Sequence, residues 1–467
     1  MQNGIFGTGD NMNKTVDSYI DSHKDEMVRS VQKIISFPSV EAAPAGEGAP
    51  FGAAVRDSLV SALELAESLG LKTTNYDGYA GAIDCGEGKE MLGIICHVDV
   101  VPEGEGWTHP PYGGVIDNGK IYGRGTIDDK GPAICAIYGL AAVKAANIPL
   151  KRRVRIILGT NEETGWGGMH HYMKVAEIPT FSFTPVGEYP IVNSEKGIYH
   201  NTVRCNVKTN IRINGGTRPN VVCGKTKVFV PVEISEIKKH TDEIAAKGFG
   251  TDFTEVPGGT EIVITGLDAH GSMPERGKNA MLAAFALLDK LPLTGTDKQV
   301  VSVLHDKYNF DVHGENIGLD SEDASGRLTL NPGVIKWDEN GFEISFDVRH
   351  PISMDYKKVK AGIMDSLKEL NPECISESKQ DGHYIAPDTE LVSKLLKVYE
   401  ARSGKHGEPL AIGGGTYARA FPNAVAFGCS QDGISGPEHM PDEFIGVDEV
   451  LFNAKMIADA IIALAAE

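Results

Sequence analysis

The sequence predicts an α/β fold interrupted by an inserted α+β unit, and three observations carry that expectation. An almost wholly apolar run, residues 91–101 (MLGIICHVDVV), and a second strand-like run, 153–160 (RVRIILGT), flank an Ala-rich apolar helix at 132–146. Strands buried on both faces read as continuous apolar runs, as parallel sheets require, whereas half-exposed strands alternate. The stretch from 196 to 384 is of the second kind, with polar residues interrupting its strands. Finally, 467 residues exceed the roughly 250–300 at which a single core stops growing.

Taken in order, residues 16–35 are amphipathic with helical spacing, and 54–69 form a second helix ended by Gly70. Strand 91–101, helix 132–146 and strand 153–160 have the crossover lengths of a layered α/β sandwich. Inside the insertion, strands are expected at 227–233, 260–265, 327–336 and 342–348, and helices at 280–291 and 356–370. A strand at 424–428 returns the chain to the first unit, and a helix at 447–466 closes it. The expected division is an outer unit of two parts, 1–195 and 385–467, around an insertion at 196–384.

The charge balance is 45 Lys+Arg against 64 Asp+Glu, a net −19, with 41% hydrophobic and 23% charged residues. These proportions are those of a globular chain. No apolar run approaches the ~20 residues of a membrane span, and no basic patch marks a phosphate backbone as partner. Neither membrane nor nucleic acid is expected as a partner. The seven cysteines (Cys85, Cys96, Cys135, Cys205, Cys223, Cys374, Cys429) are odd in number and scattered, without a CxxC pair. They read as reduced thiols. The opening 13 residues lack the basic start and apolar stretch of a signal peptide and read as an unstructured extension. The cytoplasm is the expected location.

Three segments carry ligand-type side chains where open α/β sheets place their sites. At the end of the first apolar strand, His97 and Asp99 are two apart on extended backbone and project to the same side. That arrangement suits an imidazole ligand with a carboxylate behind it. Asp128 and Asp129 follow a Gly-rich turn and precede a buried helix, and two acids exceed what capping requires. Glu162 and Glu163 are adjacent at a strand end and repel each other unless a cation or a shared proton relieves them. One can ligate metal while the other is a general base. His439, in GPEHMPDE, completes a His/Asp/Glu/His set suited to Zn²⁺ or Mn²⁺.

The segments HVDVVP at 97–102, GRGTIDDKG at 123–131, EETG at 162–165 and GGGTYAR at 413–419 together resemble the co-catalytic zinc exopeptidases of the aminoacylase/carboxypeptidase G2 family. The last segment and the long insertion look most like the bacterial dipeptidase branch of the PepV type. The resemblance implies a three-layer α/β catalytic domain and an α+β lid. It makes Asp128 a bridge between two zinc ions, preceding a cis Asp128–Asp129 peptide. His97 becomes a ligand of one ion, and Glu163 and His439 ligands of the other, with Asp99 orienting His97 and Glu162 as general base. From the lid, DAHGS at 268–272 matches the segment whose histidine, His270 here, polarises the scissile carbonyl. DVRHP at 347–351 matches the segment whose arginine, Arg349, grips the substrate carboxylate. Asn220 and the Gly414, Gly415 and Thr416 run are implied as substrate contacts.

The family usually has an aspartate ligand where TPVGEYP at 184–190 places Val186. A valine cannot coordinate a metal, so the His97 side of the centre has lost a ligand unless Glu188 or water replaces it, and one zinc rather than two becomes an alternative. Cys96 replaces the glycine that usually precedes the histidine and reads as a small apolar filler, with an added metal ligand as the alternative. The expected activity is hydrolysis of dipeptides or short C-terminally free peptides, by water at the metal centre that Glu162 activates. An amidase, deacylase or carboxypeptidase acting on N-acyl amino acids is the alternative. A metal-depleted binding protein is a third reading, motivated by Val186. The length of the insertion leans towards a monomer, with a homodimer as the alternative.

Overall fold

The computed structural model describes residues 6–429 and 438–466. The chain divides into two compact units: Met1–Asn193 with Ile385–Leu410 and Gly415–Glu467, and Ser194–Tyr384 with Ala411–Gly414.

The first unit is built on a sheet whose centre is parallel. Met91–His97 pairs in parallel with Arg153–Gly159 on one side and Phe181–Thr184 on the other, and Ala424–Ala426 continues the parallel set. All seven residues of Met91–His97 are buried, which is why this strand carries no polar alternation. At one edge the hairpin Lys72–Tyr76 and Ala80–Cys85 joins antiparallel to Arg153–Gly159. Helices Lys24–Ile35, Ala53–Ser68, Lys130–Ala145 and Val447–Ile461 share one apolar core with the sheet. Lys130–Ala145 is buried along nearly its whole length, as its lack of a polar face requires.

Several boundaries differ from expectation. The helical pattern at 16–35 is two helices, Phe6–Ser22 and Lys24–Ile35, separated at His23, whose Nδ1 lies 2.8 Å from the Tyr19 carbonyl. The apolar period runs through both, so it does not mark the break. Helical backbone from Phe6 also corrects the expected unstructured extension, of which residues 1–5 lie outside the described residues. The strand at 91–101 ends at His97, because Val98 and Val100 are buried as loop residues beyond the sheet edge. The hairpin at 72–85 and the helix Glu390–Ser403 were not anticipated.

The second unit is an eight-stranded, wholly antiparallel sheet. Its order is Gly250–Val256, Gly259–Thr265, Lys225–Val230, Arg212–Gly215, Thr329–Asp338, Gly341–His350, Gly197–Cys205 and Glu373–Gln380. Alternation along Lys225–Val230 puts Thr226, Val228 and Val230 inside and Lys225 and Lys227 outside. Helices Ala280–Asp289, Gly295–Tyr308 and Tyr356–Ser366 complete the buried side in a core of their own. All seven cysteines are free thiols. Among the described residues, no helix is long and apolar enough to cross a membrane.

Candidate active site

In the first unit, two parallel strands end in register at His97 and Gly159. The first therefore delivers His97 and Asp99, and the second delivers Glu162 and Glu163, to the same end of the sheet. Asp128 arrives from the turn before helix Lys130–Ala145. Its Oδ1 lies 2.9 Å from His97 Nε2, and its Oδ2 lies 3.2 Å from His439 Nε2. One carboxylate thus stands between two imidazoles. His439 Nε2 is also 3.2 Å from Glu163 Oε2. The Asp128–Asp129 peptide is cis, and buried Asp129 accepts the His97 backbone N–H at 2.8 Å.

Asp99 lies against the His97 ring. Its Oδ1 is 3.6 Å from His97 Nδ1, so the nearer partner of that nitrogen is the Asp99 carbonyl at 3.1 Å. The other carboxylate oxygen accepts the Glu163 N–H at 3.1 Å. Asp99 consequently ties the two strand ends together.

The electrostatics follow from crowding acids away from water. Burial lifts the Glu162 carboxyl well above the ordinary range, and the charges of Glu163 and Asp128 add to it. Burial raises Glu163 as well. For Asp128 burial acts in the same sense, but the hydrogen bonds from His439 and His97 outweigh it and hold its carboxyl far below the usual range. His439 is the counterpart: burial disfavours its charge, yet its bonds to Asp128 and Glu163 push it up to about 11.

A cluster of this kind calls for positive charge among its carboxylates. One ligand atom each from His97, Asp128 and Glu163 lie within 4.8 Å of one another, close enough to hold a single ion. Imidazole nitrogen with carboxylate oxygen suits Zn²⁺ or Mn²⁺. Cys96 is buried outside this group, and Glu188 is not a member of it. Val186 is half-buried just beyond the strand Phe181–Thr184.

Four further residues support the centre without having been singled out in the sequence. Glu443 is fully buried; its Oε1 accepts the N–H groups of Gly125 and Ile127 at 3.0 Å and of Asp128 at 3.3 Å. Its Oε2 meets the buried Arg124 guanidinium at 2.6 Å. Four residues after His439, this carboxylate fastens the histidine's loop to that of Asp128. Lys130, also buried, donates to the Phe37 carbonyl at 2.7 Å. Tyr417 stands edge-on to the His97 ring, with centroids 5.9 Å apart. Only a Gly-rich neighbourhood and an acid in a polar loop signalled any of these, and neither signal is specific.

In the second unit, His270 Nδ1 accepts the Ser272 N–H at 3.2 Å and lies 2.6 Å from the Ser272 hydroxyl. A backbone N–H can only donate, so the neutral ring carries its proton on Nε2. Asn220 is next to Val221, which bridges to His270, and its carbonyl accepts the Gly271 N–H at 2.8 Å. Buried Asn331 holds the same segment through the carbonyls of Pro219 and Val221, at 2.9 and 3.1 Å. Arg349 is bound side-on by buried Asp347, with Nε to Oδ1 at 2.7 Å and Nη2 to Oδ2 at 3.0 Å, and donates through Nη1 to the Gly413 carbonyl at 2.9 Å. Of the five guanidinium N–H groups, two remain for a ligand. Gly414 and Gly415 continue the chain to Thr416, whose hydroxyl caps the short helix Tyr417–Ala420 by accepting the Ala418 N–H at 3.1 Å.

An α/β unit that gathers imidazoles and carboxylates at its strand ends has the build of a metallohydrolase. The peptidase family M20/M25/M40 matches residues 93–463, and the chain belongs to that family. It is 37% identical over 455 residues to the Bacillus subtilis (strain 168) protein YtjP, described as a candidate dipeptidase, covering 95% of this chain and 98% of that one. It is 32% identical over 458 residues to the beta-Ala-Xaa dipeptidase of Lactobacillus delbrueckii subsp. lactis, covering 95% and 97%. Human carnosine dipeptidase 1 shares the fold, with a TM-score of 0.59 at 15% identity over 97% of this chain and 98% of that one.

Proposed function

We propose that this peptidase hydrolyses dipeptides, with Glu162 as general base beside a metal centre formed by His97, Asp128, Glu163 and His439. The observation that carries the reading is the Asp128 carboxylate held between two imidazoles, 2.9 and 3.2 Å away, with Glu163 against the second. The dipeptidase names of relatives at 37% and 32% identity support the substrate class. When bound, a divalent cation supplies Lewis-acid polarisation and eases loss of a proton from water. Glu162, whose carboxyl burial lifts well above the ordinary range, takes the proton of the attacking water and returns it to the leaving amine. His270 offers its Nε2 proton to the carbonyl oxygen as charge develops there. Arg349 grips the free carboxylate with its two remaining N–H groups, a task suited to a planar guanidinium. Asn220 and the Gly414–Gly415–Thr416 turn contribute further substrate contacts.

Zinc is the ion the donor set favours. Val186 leaves the His97 side one ligand short, so one ion is held tightly and a second weakly. The deciding experiment is a panel of dipeptides and their N-acylated counterparts, with Glu162→Gln alongside the parent. Cleavage of the free dipeptides, lost at least ~100-fold in the variant, is expected. Preference for N-acylated substrates would make the protein a deacylase, and a variant as active as the parent would remove Glu162 from the mechanism.

A further inference from the structure

Tyr417 is buried, and its hydroxyl has no hydrogen-bond partner among the described residues. Buried polar side-chain atoms are nearly always paired, so an exception needs a reason. Packing does not supply one. The ring stands edge-on to His97 at 5.9 Å and 82° and to Trp166 at 5.2 Å and 72°, contacts that a phenylalanine would make equally well. The chain nevertheless makes room for the oxygen. A Cβ on Gly159 would fall 2.4 Å from the hydroxyl, and Gly159 is the residue paired in register with His97.

The same neighbourhood holds the complementary exception. Asp99 Oδ1 is buried without a hydrogen-bond partner among the described residues, 3.6 Å from Nδ1 of that same His97. Among the described residues, a phenol without an acceptor and a carboxylate oxygen whose nearest donor stands 3.6 Å away therefore flank one imidazole. Of the charges around the phenol, the Asp99 carboxylate acts on it most strongly, ahead of Glu162 and Glu163.

We propose that Tyr417 is a positioning residue of the catalytic centre, its hydroxyl serving as the donor that steadies Asp99 and, through it, His97 and the Glu163 backbone. In this proposal the link runs from the hydroxyl to the carboxylate directly or across one bridging water. Asp99 is already bonded to the Glu163 N–H, so fixing its second oxygen fixes both strand ends. The proposal rests on reading this centre as the catalytic one.

Tyr417→Phe in the full chain tests it, because the ring and its packing survive. Zn²⁺ affinity, measured by competition with a chelating dye, is expected to fall ~10–100-fold, as for other groups that act through a metal ligand. In excess Zn²⁺, kcat for a dipeptide should fall about tenfold with KM little changed, and the melting temperature of the zinc-loaded protein should stay level or rise. A merely structural hydroxyl would lower the melting temperature and spare the affinity, and that result overturns the proposal. So does a variant with unchanged affinity and kcat. In an Asp99→Asn background, adding Tyr417→Phe should change affinity less than twofold; a full repeat of the effect would show that the hydroxyl serves something other than Asp99. Glu162→Gln, assayed in parallel, separates the two levels. Activity retained there removes the catalytic reading itself, whereas activity lost there and kept in Tyr417→Phe removes only this proposal.

Discussion

Val186 and Glu443 bear on the metal question in different ways, one standing where the family resemblance expects a ligand and the other a buried carboxylate beside the loop of Asp128. If the valine limits metal binding, Val186→Asp should raise the Zn²⁺ retained after dialysis towards a second equivalent. Affinity on the His97 side should improve by at least ~10-fold, since even groups behind the ligands alter it that much. Elemental analysis of the dialysed protein reads this directly, and unchanged zinc would mean that position 186 is not a ligand position in this fold. Glu443 is a different case, because it faces buried Arg124 at 2.6 Å and three backbone N–H groups. Breaking a buried ion pair from one side leaves the other charge uncompensated. Glu443→Gln is therefore expected to lose about 3–5 kcal/mol of stability, seen as a lower urea midpoint, with no comparable loss for Asp448→Asn at the exposed surface.

At the level of the element, Gly341–His350 is the strand that carries both Asp347 and Arg349. Asp347 on it is buried, grips Arg349 side-on, and lies 3.1 Å from His200 Nε2. Burial alone would raise its carboxyl, but the Arg349 guanidinium and His200 hold it below the usual range. A depressed folded value contributes stability above the unfolded pKa of about 4, and that contribution disappears as the pH falls through the folded value. Denaturation followed below about pH 4 should show this loss in the parent and not in Asp347→Asn, whose KM for dipeptides should rise as Arg349 loses its brace. Legibility in the sequence divides along the same physical line. The apolar run ending at His97 was readable as a parallel strand because two-sided burial explains it, and the strand–helix–strand order placed the run ending at Gly159 beside it although Arg153 and Arg155 on it are only half-buried; the ends of both located the acidic residues. The edge strand Lys72–Tyr76 (KTTNY), largely exposed, has no apolar signature and was missed. Asp347, Glu443 and Asn331 were equally hidden as supports, since a buried brace and a solvated polar residue look alike until the fold shows what each one faces.

For the whole molecule, the decisive fact is that each unit has its own hydrophobic core, one around Met91–His97 and helix Lys130–Ala145, the other around Ala280–Asp289 and the antiparallel sheet. Chains with more than one core need not unfold in a single step. His97, Asp128 and Glu163, close enough to hold a single ion, all belong to the first unit, as does His439. An ion bound only to the folded state stabilises by about 2.7 kcal/mol when its free concentration is 100 times Kd. For a unit of a couple of hundred residues, each kcal/mol moves the midpoint by roughly 2–4 °C. Calorimetry of the full chain should therefore resolve two transitions, of which a chelator lowers one by roughly 5–10 °C and leaves the other in place. Glu162→Gln should leave both transitions, and the chelator's effect on them, as they are in the parent. If the chelator moves both transitions together, or neither, the metal is not held by the first unit alone.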